Sequence, residues 1–257
     1  MTVTLFVGDL HAKPHLLPRI GRAADRHRVD RIVLLGDVCD DWTVSANMQV
    51  AWMETFTVWA KEQTEVRELV PLLGNHDLPY WMDKGPALDC ARTLVGFPGH
   101  TARVHDRIRT LMHMLPFRIA WAGDGIVASH AGFTESWGRN TFHERWDEMA
   151  DLQLADEVNS RAGSQSGLRD LYLAVGRARG GKGTPGPLWA DRSELVRDND
   201  PSMTQVVGHT PVPMVMAERG VWFCDTLSTT QDGRPIGDGS LLLHDSERRC
   251  AFSEVRI

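Results

Sequence analysis

Short apolar runs near the start of the chain share one kind of ending. Val3-Thr4-Leu5-Phe6-Val7 stops at Gly8-Asp9, residues 31–35 stop at Gly36-Asp37, and residues 66–73 stop at Gly74-Asn75-His76-Asp77. Apolar, partly β-branched runs bounded by turn residues are predicted to be buried strands. Between the first two runs, residues 14–28 place Leu16, Leu17, Ile20 and Ala24 at helical spacing. Ser45 is placed to cap a second helix, on which Met48, Trp52, Phe56 and Trp59 line one face. This β-α-β-α-β rhythm predicts a sheet with helices on its faces. Ligands bind such sheets at the carboxyl ends of the strands, and each of these predicted strands ends in residues able to bind a metal.

The second half is richer in strands. Residues 126–129 lead into His130, residues 205–207 lead into Gly208-His209-Thr210, and further strands are predicted at 221–224, 241–243 and 251–257. Between them the pattern changes: residues 144–158 are acidic and helical in composition, and residues 176–187 are rich in Gly, Pro and Arg. The fold class expected is mixed α/β (α+β), one domain over residues 1–257, with residues 133–202 inserted as a cap over the site. No internal repeat is visible.

Composition narrows the classes. The 257 residues are 42% hydrophobic and 24% charged, which suits a globular core, and no apolar run reaches the roughly 18 residues of a membrane span. The N-terminus reads as a strand and not as a signal peptide. Cys39, Cys90, Cys224 and Cys250 are widely spaced and form no C-x-x-C pair, so a reduced, cytoplasmic protein is expected. A net charge of −6 argues against an extended nucleic-acid surface but leaves room for a local basic pocket.

The candidate metal ligands are Asp9, His11, Asp37, Asn75, His130 and His209. Asp9 and His11 stand two residues apart at a strand end, a spacing that lets both side chains share an ion. Asp37, near the middle of the set, is the natural bridging carboxylate. Asn75 offers a neutral oxygen and the histidines offer imidazole nitrogens. Mixed O/N donors suit Mn, Fe, Zn or Ni rather than a thiolate-selecting site. Two divalent ions a few Å apart polarise a phosphoryl group and activate water near neutral pH.

Gly8-Asp9-Leu10-His11, Gly36-Asp37-Val38-Cys39-Asp40, Gly74-Asn75-His76-Asp77, Ser129-His130-Ala131-Gly132 and Gly208-His209-Thr210 together resemble the ordered motif series of the calcineurin-like metallophosphoesterases. The series covers residues 8–210, and the match is nearest the bacterial and phage phosphoprotein phosphatases and dinucleoside polyphosphatases. The resemblance implies a β-sandwich flanked by helices and two divalent ions, manganese first among them. It implies Asp9, His11 and Asp37 on one ion and Asp37, Asn75, His130 and His209 on the other. It implies His76 as the general acid, oriented by Asp40, and Arg192, in Leu188-Trp189-Ala190-Asp191-Arg192, as a phosphate holder. The implied reaction is hydrolysis of a phosphomonoester by a metal-bridging hydroxide, on a phosphorylated small molecule, nucleotide or phosphoprotein. A dinucleoside polyphosphatase or phosphodiesterase is the alternative, and a non-catalytic binding scaffold the reading from another class. One departure stands out: Asp41 occupies the place where protein phosphatases of this type carry a second phosphate-gripping arginine.

Other features have plainer readings. His15, His27, His100, His105, His113, His143 and His244 belong to no motif and default to core or surface. The tryptophans default to core, with base stacking by Trp42 or the Tyr80-Trp81 pair as the lesser alternative. Residues 176–182 fit G-x-x-x-x-G-K, but Gly183 replaces the required Ser or Thr, and Pro185 and Pro187 forbid the following helix, so a P-loop is rejected. Arg177, Arg179 and Lys182 then read as a solvated basic loop, with a place beside the substrate as the alternative. Asp225 is read either as a turn residue or as a support for the site.

Overall fold

The computed structural model describes residues 2–42, 44–93, 101–248 and 251–257. Strands β1 (Val3–Val7), β2 (Arg31–Leu34) and β3 (Glu68–Pro71) are parallel and in step, with Val7 beside Leu34 and Leu34 beside Pro71. That register brings the Gly8-Asp9, Gly36-Asp37 and Gly74-Asn75 turns to one edge. Strands β4 (Ala120–Gly123), β5 (Ile126–Ser129), β6 (Gln205–Val207), β7 (Met216–Glu218) and β8 (Val221–Phe223) form a second sheet in the order β4-β5-β6-β8-β7. Here β5, β6 and β8 are parallel, so His130, His209 and Asp225 all follow carboxyl ends. Strands β9 (Ser240–Asp245) and β10 (Phe252–Arg256) complete the first sheet, in the order β10-β9-β1-β2-β3.

The period-2 alternation of side chains sorts the core into layers. Phe6, Val33 and Leu35 of the first sheet meet Ala128, Val206 and Cys224 of the second between the sheets. Leu5, Val7, Ile32 and Leu34 point the other way, onto α1 (Leu17–Arg26) and α2 (Ala46–Thr64). Val207, Val221 and Phe223 cover the far face of the second sheet. The result is a sandwich of two mixed sheets flanked by helices, the fold class read from the sequence.

Several boundaries move for local reasons. The first helix opens with a 3-10 turn at Pro14–Leu16 before α1. Ser45 caps α2, its Oγ accepting from Met48 N–H at 3.4 Å, and Trp52, Phe56 and Trp59 are buried as expected. Met48 is instead exposed, and Gln49 turns inward, donating to the Tyr80 hydroxyl at 2.7 Å. The third strand is shorter than the run 66–73, because Val66 and Arg67 give their N–H groups to Gln63 O at the end of α2. Helices α3 (Leu78–Trp81), α4 (Lys84–Thr93) and α5 (His105–Met112) follow it.

Within residues 133–202 lie α6 (Glu135–Phe142), α7 (Asp151–Arg161), α8 (Gln165–Leu173) and α9 (Arg192–Arg197). The stretch 144–158, helical in composition, is divided: a 3-10 segment covers His143–Glu148 before α7 begins. Helix α7 flanks β4, where Asn159 Oδ1 accepts from Ile119 and Ala120 N–H at 2.8 and 3.1 Å. Cys39 and Cys224 are buried free thiols. Cys250, His100 and the side chain of Cys90 lie outside the described residues. No described helix is long and apolar enough to cross a membrane. Phe6 is fully buried between the sheets, so Phe6→Ala is expected to lower unfolding free energy by about 3–5 kcal/mol in urea denaturation.

Candidate metal centre

Strand ends from both sheets converge on Asp37. Its Oδ2 lies 3.8 Å from His11 Nε2, 3.9 Å from His76 Nε2 and 3.4 Å from His130 Nε2. Asp9 Oδ2 lies 3.9 Å from His11 Nε2. Atoms each about 2.1 Å from one ion stand no more than roughly 4.2 Å apart, so these separations are within reach of a shared cation. Among the described residues two donor groups emerge, with the ligand atoms of each within 4.8 Å of one another: His11, Asp37 and His76, and Asp37, His130 and His209. Asp37 belongs to both.

Hydrogen bonds set which ring nitrogen faces inward. His130 Nδ1–H donates to Leu35 O at 2.7 Å, which aims Nε2 at Asn75 Oδ1 at 2.8 Å and His209 Nδ1 at 3.0 Å. His11 Nδ1–H is likewise held by Asp40 O at 2.9 Å, leaving its Nε2 for Asp9 and Asp37. His209 Nε2 is buried with no hydrogen-bond partner among the described residues. The donor set therefore fits divalent ions on chemical grounds.

The backbone is bent to achieve this. His11, Asp37 and His209 take left-handed φ values of 41°, 50° and 63°, a conformation that costs non-glycine residues roughly 1–3 kcal/mol each and clusters at functional sites. Gly74 packs so tightly that a Cβ there would lie 2.1 Å from Asp37 Oδ1. At Gly208 a Cβ would lie 2.2 Å from Asp9 Oδ1. Asp77, fully buried, staples two turns together: its Oδ1 accepts from Val38 and Cys39 N–H, both at 2.8 Å, and its Oδ2 from Gly74 N–H at 2.9 Å. Sequence reading gave Asp77 no role, although an Asp closing a strand-end turn is a recognisable backbone acceptor.

Electrostatics follow from this crowding. Burial raises the Asp9 carboxyl well above the usual range, and the nearby Asp225 and Asp37 add to it. Burial acts upward on Asp37 as well, but His130, His76 and His11 outweigh it and hold that carboxyl well below the usual range. Burial, with His130 and Arg179 beside it, depresses His209 well below the ordinary histidine value. His76 is pushed down by burial, yet Asp37 and Asp40 overcome this and raise it to about 9. Its Nδ1–H donates to Asp40 Oδ1 at 2.7 Å, so its Nε2 is the atom presented to the site.

The remaining candidates are placed as follows. Arg192 turns its Nη2 to Glu218 Oε2 at 2.7 Å, with the guanidinium 5.6 Å over the Phe223 ring. Asp41 is paired with Lys13, Oδ2 to Nζ at 3.1 Å, so its carboxylate is compensated. Asp225 is buried and accepts from Ser228 N–H and Oγ–H at 3.1 and 2.8 Å, which orders the turn after β8 beside Asp9. Arg177 and Lys182 are exposed, whereas Arg179 folds in to donate from Nη2 to Thr210 Oγ1 at 3.0 Å. Tyr80 is buried, while Trp42 is 48% exposed and so available for contact.

The family model described as calcineurin-like phosphoesterase matches residues 2–227. The chain belongs to that family. As a calcineurin-like phosphoesterase it is a metal-dependent phosphoric ester hydrolase. No curated protein compared with it matches. Its structure is similar to that of a hypothetical protein from Pyrococcus horikoshii, with TM-score 0.51, 10% identity, and coverage of 100% of this chain and 88% of that one. This likeness concerns the fold alone. Weaker similarities reach a novel archaeal phosphodiesterase, with TM-score 0.38, 10% identity and 100% of both chains covered. A protein from Thermus thermophilus also matches, with TM-score 0.40, 10% identity, and coverage of 99% of this chain and 98% of that one.

The charge around His76 has a consequence for this phosphoesterase in its chelated form. Its folded value of about 9 lies above the ordinary 6.5, so the stabilisation from its protonated form is fully present below pH 6.5 and lost as pH rises through about 9. NMR titration of the metal-free protein should place this imidazole near 9, and Asp40→Asn should lower it and flatten the loss of stability between these limits.

Proposed function

We propose that this chain is a dinuclear phosphatase that hydrolyses a phosphomonoester by direct attack of water, without a phosphoenzyme. The observation that carries the reading is Asp37, whose carboxylate is shared by two groups of donors, one with His11 and His76 and the other with His130 and His209. In this reading Asp9, His11 and Asp37 hold one ion, and Asp37, Asn75, His130 and His209 hold the other. Divalent ions there, manganese foremost for a set without thiolates, supply Lewis-acid polarisation of the phosphoryl oxygens and activate the attacking water. His76, fixed through Nδ1 by Asp40, donates its Nε2 proton to the departing oxygen. The phosphoprotein phosphatase and dinucleoside polyphosphatase branch is the nearest relation we infer.

The Lys13–Asp41 pair supports a monoester substrate. A lone carboxylate at position 41 would repel a dianion, but at 3.1 Å Lys13 neutralises it. A nucleotide-directed reaction has one observation in its favour, the exposed Trp42 indole next to Asp41. Residues 133–202 are proposed as the cap, the part next to Thr210 being the loop that carries Arg179. A reducing, cytoplasmic setting belongs to the same reading.

Two variants test the reading, with metal content measured alongside turnover of phosphopeptides, nucleotides and nitrophenyl esters. Asp37→Asn should lose one or both ions and all turnover; an active enzyme with two ions per chain would contradict the assignment. His76→Ala should keep its metal and lose roughly 10²–10⁴-fold in rate on esters with poor leaving groups. The loss should shrink for nitrophenyl esters, and an equal loss on both kinds would point to metal positioning instead of acid catalysis.

A further inference from the structure

Resting on the phosphatase reading of the metal centre, we propose that Arg179 is the guanidinium that grips the substrate's phosphoryl group, the role the family resemblance gives to Arg192. The two arginines reach the same residue in different ways. Each guanidinium has a carboxylate partner, Glu218 at 2.7 Å for Arg192 and Asp191 at 3.1 Å for Arg179, but Arg192 meets Thr210 Oγ1 through its backbone N–H at 3.1 Å. Arg179 brings its guanidinium itself, Nη2 donating to Thr210 Oγ1 at 3.0 Å, one residue along the chain from His209. Its side chain is 28% exposed, and its charge is close enough to act on the buried His209 imidazole.

Arg179 also carries a donor in need of an acceptor. Its Nε–H is buried and has no hydrogen-bond partner among the described residues. Buried donors in folded proteins are nearly always satisfied, so an exception calls for an explanation. An oxygen of a bound phosphoryl group supplies that acceptor, and charge-assisted bonds from a planar guanidinium suit such oxygens better than an ammonium does.

The surroundings hold the arginine ready. Asp191 Oδ2 pairs with Nη2 at 3.1 Å, and its Oδ1 is fixed by Ser193 N–H and Oγ–H at 3.0 and 2.7 Å, at the N-cap of α9. Glu194, buried in the same helix, accepts from Ala178 N–H at 3.1 Å, next to Arg179. The loop closes on itself through Gly181 N–H to Gly176 O at 2.9 Å and Gly183 N–H to Val175 O at 3.1 Å. A charged group fixed in place before the ligand arrives loses little freedom on binding. The Gly- and Arg-rich stretch is thus a mount for one side chain.

The test is calorimetric binding of inorganic phosphate to the metal-loaded full chain, with bound metal measured on the same samples. Arg179→Ala should weaken phosphate binding roughly 10–100-fold at unchanged metal content. Arg179→Lys should fall between it and wild type, and Arg177→Ala, on the same loop, should bind as wild type does. The proposal is overturned by wild-type affinity in Arg179→Ala, by an equal loss in Arg177→Ala, by loss of metal along with phosphate, or by a wild type that binds no phosphate. Because affinity is read and not turnover, a protein that binds phosphate through Arg179 yet hydrolyses no ester would refute the phosphatase reading alone.

Discussion

A single buried carboxylate sets the terms for the rest of this molecule. Asp37 sits in a left-handed backbone turn, 2% exposed, with imidazoles from three other turns within 4 Å of its Oδ2. A buried charge is tolerated only when matched by opposite charge and hydrogen bonds. The surrounding structure meets that demand. His76 N–H donates to Asp37 Oδ1 at 2.9 Å, and Gly74 leaves the space that oxygen occupies. Asp77 ties the two turns into one unit through three backbone N–H groups.

The same crowding makes the metal-free protein electrostatically costly. Asp9, Asp37, Asp77 and Asp225 lie close enough that Asp9, Asp77 and Asp225 are each driven above the usual carboxyl range, with burial the largest cause. His209 is held unprotonated among other cationic groups. Divalent ions would relieve the crowded carboxylates, so binding them contributes to folding stability as well as to chemistry. Strain in the backbone and crowding of charge are two aspects of one preorganised site.

Much of this was legible in the sequence because strands buried on both faces read as short apolar runs, and here each run ends in a donor. The strands bearing Asp9, Asp37, Asn75, His130 and His209 were placed within a few residues, and the structure brings these side chains together. The strands that escaped notice are those with weak periodicity: β4, whose Ala120-Trp121-Ala122-Gly123 has no β-branched residue, and the three-residue β7. Met48 was assigned to the wrong face because the first turn of α2 projects beyond the core, a fact of tertiary placement that helical spacing cannot encode. Long-range pairs were invisible for the same reason. Nothing local joins Asp41 to Lys13, Arg192 to Glu218, or Arg179 to Thr210, and each of these contacts changes how a charged residue near the site is read.

The most direct measurement is anomalous diffraction from crystals grown with manganese. Two anomalous peaks are expected, one on each side of the Asp37 carboxylate, the first beside Asp9 and His11 and the second beside Asn75, His130 and His209. A single peak, or two peaks of which Asp37 touches only one, would contradict the shared-carboxylate centre.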